Sequence, residues 1–406
     1  MVPSQLPAGE PAPPDGALPA HALAELSSRP FGFYVHVPFC ARRCGYCDFN
    51  TYTATELGEQ PGASRETYAA AVVAELDLAA RVLGADVPPV STVYFGGGTP
   101  TLLPARALVG TLQHIRSRFG LREEAEVTTE ANPDSVDAAY LRQLRDGGVN
   151  RVSFGMQSAV PHVLTTLDRT HDPDRVPQVV DWARAAGFEQ VSIDLIYGTP
   201  GESLNDWEVT LRGALDLQPD HVSAYSLIVE PGTALARRVG RGELPAPDED
   251  DAADKYTRAD DLLERAGLRW YEISNWARNP EAESAHNRLY WTGGHWWGIG
   301  PGAHSHVAGV RWWNVKHPAA YAARLAAGRS PGHGREVLDA ETRRVERVLL
   351  ELRVREGLDT DVLEPPGAAA LARLVGEGLV SVHRSAVALT RDGRLLADSV
   401  TRALLP

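Results

Sequence analysis

Thiols are scarce in this chain. Its 406 residues hold three cysteines, Cys40, Cys44 and Cys47. Three cannot all pair, so a disulfide framework is excluded. Long apolar runs are also missing, and no stretch approaches the roughly 20 residues that span a bilayer. The N-terminus has neither a basic region nor an apolar core, which argues against a secretory signal. Positive charge is in deficit: 40 Lys and Arg face 53 Asp and Glu, for a formal charge of −13. A field of that sign opposes nonspecific binding to nucleic acid. These absences point to a cytoplasmic protein whose thiols stay reduced.

What chemistry there is starts in one place, "YVHVPFCARRCGYCDFN", residues 34–50. All the cysteines lie in it. Residues 1–28 are rich in Pro and Ala and contain no aromatic residue. They predict a mostly disordered tail with one short helical turn. From Phe31 a different pattern begins. "FGFYVHVP", "STVYFGGG", "AEVTTEANP", "NRVSFGMQS", "QVSIDLIYG" and "HVSAYSLIV" read as strands, being short, β-branched and aromatic. Between them, residues 64–84, 104–118, 136–146, 173–186 and 203–217 carry apolar residues at helical spacing. Strands alternating with amphipathic helices predict an α/β fold with a parallel sheet and right-handed crossovers.

Unusual residues recur at the carboxyl ends of successive strands: Cys40, then "GGGTP", Glu130, Gln157, and Asp194 with "YGTPG". In a closed or partly closed barrel such ends converge on one mouth, whereas an open sheet spreads them along a line. The expectation is therefore a partial (β/α)6 TIM-like barrel over 29–235. A barrel extension over 236–335 contains a strand, "RWYEISNWA", and a stretch dense in Trp, Gly and His. A C-terminal unit over 336–406 reads as helix, hairpin "LVSVHRSAVALT" and a further helix, a winged-helix-like order. Its mixed charge suits docking or structure better than nucleic acid.

Thiolates are soft ligands that select zinc, copper(I) or iron–sulfur clusters. A structural zinc site takes four protein ligands, usually in two pairs. There is no second pair here, and the spacing of His36 or His171 does not recommend either as a fourth ligand. Three thiolates on a loop after the first strand can instead hold three corners of a four-iron cluster, leaving one iron open.

Cys40-Ala-Arg-Arg-Cys44-Gly-Tyr-Cys47 resembles the signature of radical S-adenosylmethionine (SAM) proteins. The resemblance implies a 4Fe-4S cluster whose open iron is chelated by S-adenosylmethionine. It also gives roles to residues whose types alone leave them ambiguous. A glycine turn after a strand is structurally routine, although its N–H groups can bind an anion. An acid at a strand end often caps the next helix. By resemblance to the coproporphyrinogen-oxidase-like branch, Tyr34, Tyr46, Gly97, Gly98, Thr99, Glu130, Gln157, Arg169 and Asp194 form the S-adenosylmethionine pocket.

Two members of that branch compete. Oxygen-independent coproporphyrinogen III oxidases carry a further cysteine two residues after the third, where this chain has Phe49. HemW-like heme chaperones carry Cys-Asp-Phe-Asn, matched by residues 47–50, and His-Asn-x-x-Tyr-Trp, matched by residues 286–291. The second likeness implies that His286, Asn287, Tyr290 and Trp291 bind heme, with His304 and His306 as alternative axial ligands. An imidazole can ligate iron, and aromatic faces suit a porphyrin. Read without that likeness, the patch is as well explained as an aromatic core. The implied partners are heme and heme-accepting proteins such as respiratory enzymes. The likeness admits a homodimer and peripheral membrane contact, but the sequence displays no interface and no amphipathic anchor.

Overall fold

The computed structural model describes residues 7–58, 60 and 62–405. Six strands form where the patterns predict them: β1 (Phe31–Val37), β2 (Val90–Gly97), β3 (Leu121–Ala131), β4 (Arg151–Gln157), β5 (Gln190–Tyr197) and β6 (His221–Ser226). They are joined by helices, among them α1 (Arg65–Leu83), α2 (Ala105–Phe119), α3 (Ala138–Asp146), α4 (Arg175–Ala185) and α5 (Leu204–Asp216). Local chemistry sets several helix limits. Ser64 accepts the Thr67 N–H at the start of α1, and Gly84 ends it at φ 73°. Ser203 and Asp206 form a reciprocal capping box on α5.

β1 to β6 lie side by side and parallel. The sheet continues past both ends. At one end is a hairpin of β7 (Arg269–Glu272) and β8 (Asn275–Ala277), with β8 paired antiparallel to β6. The run "RWYEISNWA", expected as one strand, therefore turns back on itself at Ile273 and Ser274. Beyond β1 comes a strand that periodicity did not reveal, β9 (His295–Ile299), parallel to β1. β10 (His304–Val307), β11 (Val310–Asn314) and β12 (Gly332–Val337) follow antiparallel. The result is an α/β fold with a partial, TIM-like barrel at its centre.

The expected disordered tail is different in the structure. Residues 1–6 lie outside the described residues, but Glu10 and Pro11 pair with Arg335 and Gly334 on the edge of β12. Arg335 also donates to the Glu10 carboxylate at 2.6 Å, and Ala22 and Leu26 are buried. Composition could not reveal this, because an edge strand more than 300 positions away supplies the hydrogen-bond partners.

Residues 358–389 contribute a separate three-stranded antiparallel sheet. It has its own core, including Val348, Leu352, Leu374, Val387, Val400 and Leu404. Arg394 ties this unit to the rest through Asp260, at 2.8 and 3.1 Å. No described helix is long and apolar enough to cross a membrane.

Successive strand residues point to opposite faces. Phe31, Phe33, Val35, Val93, Phe95, Val152, Phe154, Val191, Ile193 and Val222 belong to the main apolar core. The alternating set faces the other way and is polar, aromatic or glycine. Register places Gly32 beside Thr92 and Thr92 beside Glu126, then Tyr34 beside Tyr94 and Tyr94 beside Thr128. Farther round, Glu130 aligns with Ser153, Ser153 with Ser192, and Asp194 with Ser223. An interior lined this way is built from hydrogen-bond networks rather than a packed apolar plug.

Candidate functional site

The cysteine loop leaves β1 at the carboxyl-end mouth of the barrel and is tied down at several points. Cys40 N–H donates to Tyr52 O and Tyr52 N–H to Pro38 O; Gly45 N–H donates to Leu167 O. A Cβ on Gly45 would meet the Asp168 carboxylate, so a larger residue here would have to displace that side chain. All three thiols are free, with Cys40 buried and the other two half-buried. Burial pushes the Cys40 thiol up and the Cys47 thiol up to about 12. Such groups become thiolates when a metal takes the place of the proton.

The donor set suits a cluster better than a single ion. A zinc ion needs its donors converging on one point. Among the described residues, no group of three or more His, Cys, Asp or Glu does so. His36 is committed elsewhere, bonding Tyr34 Oη at 3.0 Å and Asn50 O at 2.9 Å. Both His171 ring nitrogens are buried and without a hydrogen-bond partner.

Several expected cofactor residues meet around this loop. Arg169 donates from Nη2 to Gly155 O at 2.8 Å and from Nη1 toward Cys44 Sγ at 3.6 Å, while its buried Nε has no partner. Buried unpaired donors are rare and mark places where a ligand can supply the acceptor. Gln157 adopts φ 64° at the end of β4, in the left-handed region that non-glycine residues seldom occupy. Tyr46 packs against the apolar cluster of Val160, Leu167 and Ile196. Asp194 accepts from Ser153 Oγ at 2.8 and 2.9 Å, and burial holds its carboxyl above the ordinary range.

Glu130 accepts from Tyr94 Oη at 2.9 Å and from Gly97 N–H at 3.1 Å. Burial, then the nearby charge of Asp194, pushes it up to about 7. The Gly97–Thr99 turn works differently from the expectation. Its N–H groups are not open to an anion: Gly98 donates to Val37 O and Thr99 to Phe39 O. What glycine provides is space. A Cβ on Gly98 would lie 2.5 Å from Phe39 O and 3.0 Å from Cys40 Sγ.

The hexapeptide of residues 286–291 lies elsewhere. It forms α6 (Ala285–Trp291), seated at the amino-terminal end of the barrel interior, below the mouth. Ala285 and His286 N–H both donate to Glu126 at 3.0 Å. An anion there complements the helix dipole, and Arg151 in turn pairs with Glu126 at 3.6 Å. His286 is 1% exposed. Its Nδ1 bonds Thr92 Oγ1 and its Nε2 bonds Tyr290 Oη, each at 2.8 Å. Burial holds it neutral, with a pKa lowered to about 3. Both nitrogens are therefore occupied, and this arrangement does not present His286 as an iron ligand. Asn287 and Trp291 instead turn to the buried Glu272 carboxylate. His306 is also fully engaged, through Gly294 O and Gly309 N–H. His304 differs: its Nε2 has no partner, and its ring stacks on Trp313 at 5.9 Å.

Residue types alone did not point to Tyr94, Ser153, Asn50 or Glu126. Alternation was the available signal for Tyr94, which lies two positions before Gly96 and so shares the interior face. Asn50 ties the cysteine loop to the segments that follow β9 and β11, donating from Nδ2 to Pro301 O at 2.9 Å and Lys316 O at 2.8 Å.

The comparisons with known proteins bear on the family and the fold. Residues 34–214 match the family described as the radical SAM superfamily. A protein of Mycobacterium tuberculosis named heme chaperone HemW is 50% identical over 94% of this chain and 97% of its own length. Its Bacillus subtilis namesake is 34% identical over 92% and 98%. The solved coproporphyrinogen III oxidase HemN of Escherichia coli superposes with a TM-score of 0.81 at 24% identity, covering 95% of this chain and 92% of that one. The family match and the fold define a radical SAM protein. Within that superfamily, the chain belongs to the HemW family.

Proposed function

We propose that this protein is a heme chaperone, binding heme and passing it to acceptor hemoproteins such as respiratory enzymes. The observation that carries the reading is the end-to-end likeness to relatives named heme chaperone. In this reading Cys40, Cys44 and Cys47 hold a 4Fe-4S cluster. Tyr34, Tyr46, Gly97, Gly98, Thr99, Glu130, Gln157, Arg169 and Asp194 shape the S-adenosylmethionine pocket beside it. When bound, the cluster would supply one-electron reducing power. The chain's own residues do the rest. Arg169 places positive charge beside the thiolates, and Glu130 and Asp194 offer carboxylates to the polar groups of the nucleoside.

For heme, the geometry favours one of the three histidines. His286 would reach an iron only by giving up Thr92 and Tyr290, whereas His304 already has an unpartnered nitrogen. We assign axial ligation to His304, whose ring lies against Trp313. Titrating heme into the anaerobically reconstituted protein and following the Soret band tests both claims. Wild type and His286→Ala should shift the band, and His304→Ala should not. Loss in His286→Ala with retention in His304→Ala would return the ligand to His286 and require α6 to open. No shift in wild type would defeat the chaperone reading. Anaerobic incubation with coproporphyrinogen III, reductant and S-adenosylmethionine should yield no protoporphyrinogen; robust product would favour the oxidase.

A further inference from the structure

We propose that α6 is the floor of the cofactor pocket and that His286 is a positioning residue, fixing Tyr94 and through it the Glu130 carboxylate that faces S-adenosylmethionine. The inference rests on the assignment of Glu130 to that cofactor made above.

The imidazole cannot turn freely, because hydroxyls from β2 and from its own helix hold its two nitrogens. Its face lies against the Tyr94 ring, with centroids 5.2 Å apart and planes 23° apart, and Tyr34 stacks nearby at 6.4 Å and 28°. Offset stacking of this kind fixes the plane of a ring as well as its depth. Tyr94 also has little room on its other side. A Cβ on Gly96 would come within 2.8 Å of the Tyr94 ring, 3.1 Å of the Tyr34 ring and 3.2 Å of Glu130 Oε1. A phenol gripped on both sides has one position for its hydroxyl, and there it donates to Glu130 Oε1 at 2.9 Å. The second carboxylate oxygen takes the Gly97 N–H, at the turn that follows β2.

The floor is itself seated firmly. Thr92 Oγ1 and Leu289 together fill the space where a Cβ on Gly32 would go, and Glu126 anchors the first turn of α6 through two backbone N–H groups. The hexapeptide that resembles a heme motif thus sits at the far end of a packed column, imidazole on phenol, leading to the cofactor carboxylate. Donating groups at a carboxylate favour its ionised form. Moving Tyr94 would change both the place and the charge of Glu130.

The test uses the reconstituted holoprotein and S-adenosylmethionine. Affinity is read by anaerobic equilibrium dialysis, and the change in the reduced cluster's EPR signal on adding S-adenosylmethionine is read alongside. Glu130→Gln and Tyr94→Phe should each weaken binding about 10-fold, the scale of one hydrogen bond to a charged group. His286→Ala should do the same with iron content unchanged. The double variant His286→Ala/Tyr94→Phe should be no worse than the weaker-binding single, since both act on one contact. His286→Gln, which can still bond Thr92 and Tyr290, should recover part of the loss. If His286→Ala fails to fold, Tyr290→Phe removes one imidazole bond without opening a cavity and should still weaken binding. Unchanged affinity in His286→Ala or Tyr290→Phe, with loss in Glu130→Gln, would overturn the positioning role alone. Unchanged affinity in Glu130→Gln would remove the assignment beneath it.

Discussion

The two ends of the barrel differ in how fully their buried polar groups are bonded, although Thr128 Oγ1 and Gln190 Oε1 toward the floor also lack partners. At the mouth, Arg169 Nε, Thr199 Oγ1 and both His171 nitrogens are buried without partners. At the floor, a chain of bonds runs from Arg151 to Ser192 Oγ, from Ser192 to His221, and from His221 to Tyr271 Oη, which accepts the Ser284 N–H. A buried donor without an acceptor costs about 1–3 kcal/mol. Folded chains tolerate that where a ligand later supplies the partner, and satisfy the rest internally. The lesson is that a motif rich in His, Tyr and Trp need not itself be a ligand site. Whether its polar atoms are already bonded decides.

The largest effect should come from the mouth. Replacing Cys44 by Ala should take the reconstituted protein from about four irons per chain to nearly none. Iron and sulfide analysis of oxygen-free preparations checks this, and a variant that kept its iron would break the contrast at once. The floor should respond in stability instead. Arg151 is almost fully buried, pairing with Glu126 and donating to Ala282 O at 2.7 Å. Arg151→Ala strands a carboxylate and should cost about 3 kcal/mol, read as a lower urea midpoint with cluster loading intact in the folded fraction.

Glu75 sharpens the comparison, because it is a buried ionisable group that already has several hydrogen-bond donors. It accepts from Gly300 N–H and Asn314 Nδ2, each at 2.8 Å, and from Tyr321 Oη, joining α1 to the strands beyond β1. Burial outweighs these donors and raises it from 4.5 to about 7. Between those values the folded chain keeps a proton that the unfolded chain has released. Stability should therefore fall as pH rises from about 4.5 to 7 and level off above, by up to roughly 3 kcal/mol from this group. Denaturation midpoints of wild type should show that slope more steeply than Glu75→Gln; equal slopes would refute it. The smallest effect belongs to Phe49, 39% exposed beside the cluster loop. Phe49→Cys adds the oxidase's further thiol, and iron per chain should not change, since three thiolates suffice.

Much of this protein is written locally. The spacing of Cys40, Cys44 and Cys47 carries the proposed cluster loop, since three candidate ligands lie within eight residues of chain. The period of the strands and helices carries the six barrel units, because alternation and helical spacing are properties of neighbouring residues. The carboxyl-end positions of Glu130, Gln157 and Asp194 follow from those units. Only the tertiary structure decided that Glu10 and Pro11 pair with β12, that β9 extends the parallel sheet, and that the Gly97–Thr99 amides are already engaged. It also decided that His286 is bonded rather than open, for its Nδ1 partner lies 194 positions away. The physical reason is common to all four. Burial and hydrogen-bond satisfaction depend on which distant atoms fill the space around a group, and no local pattern records them.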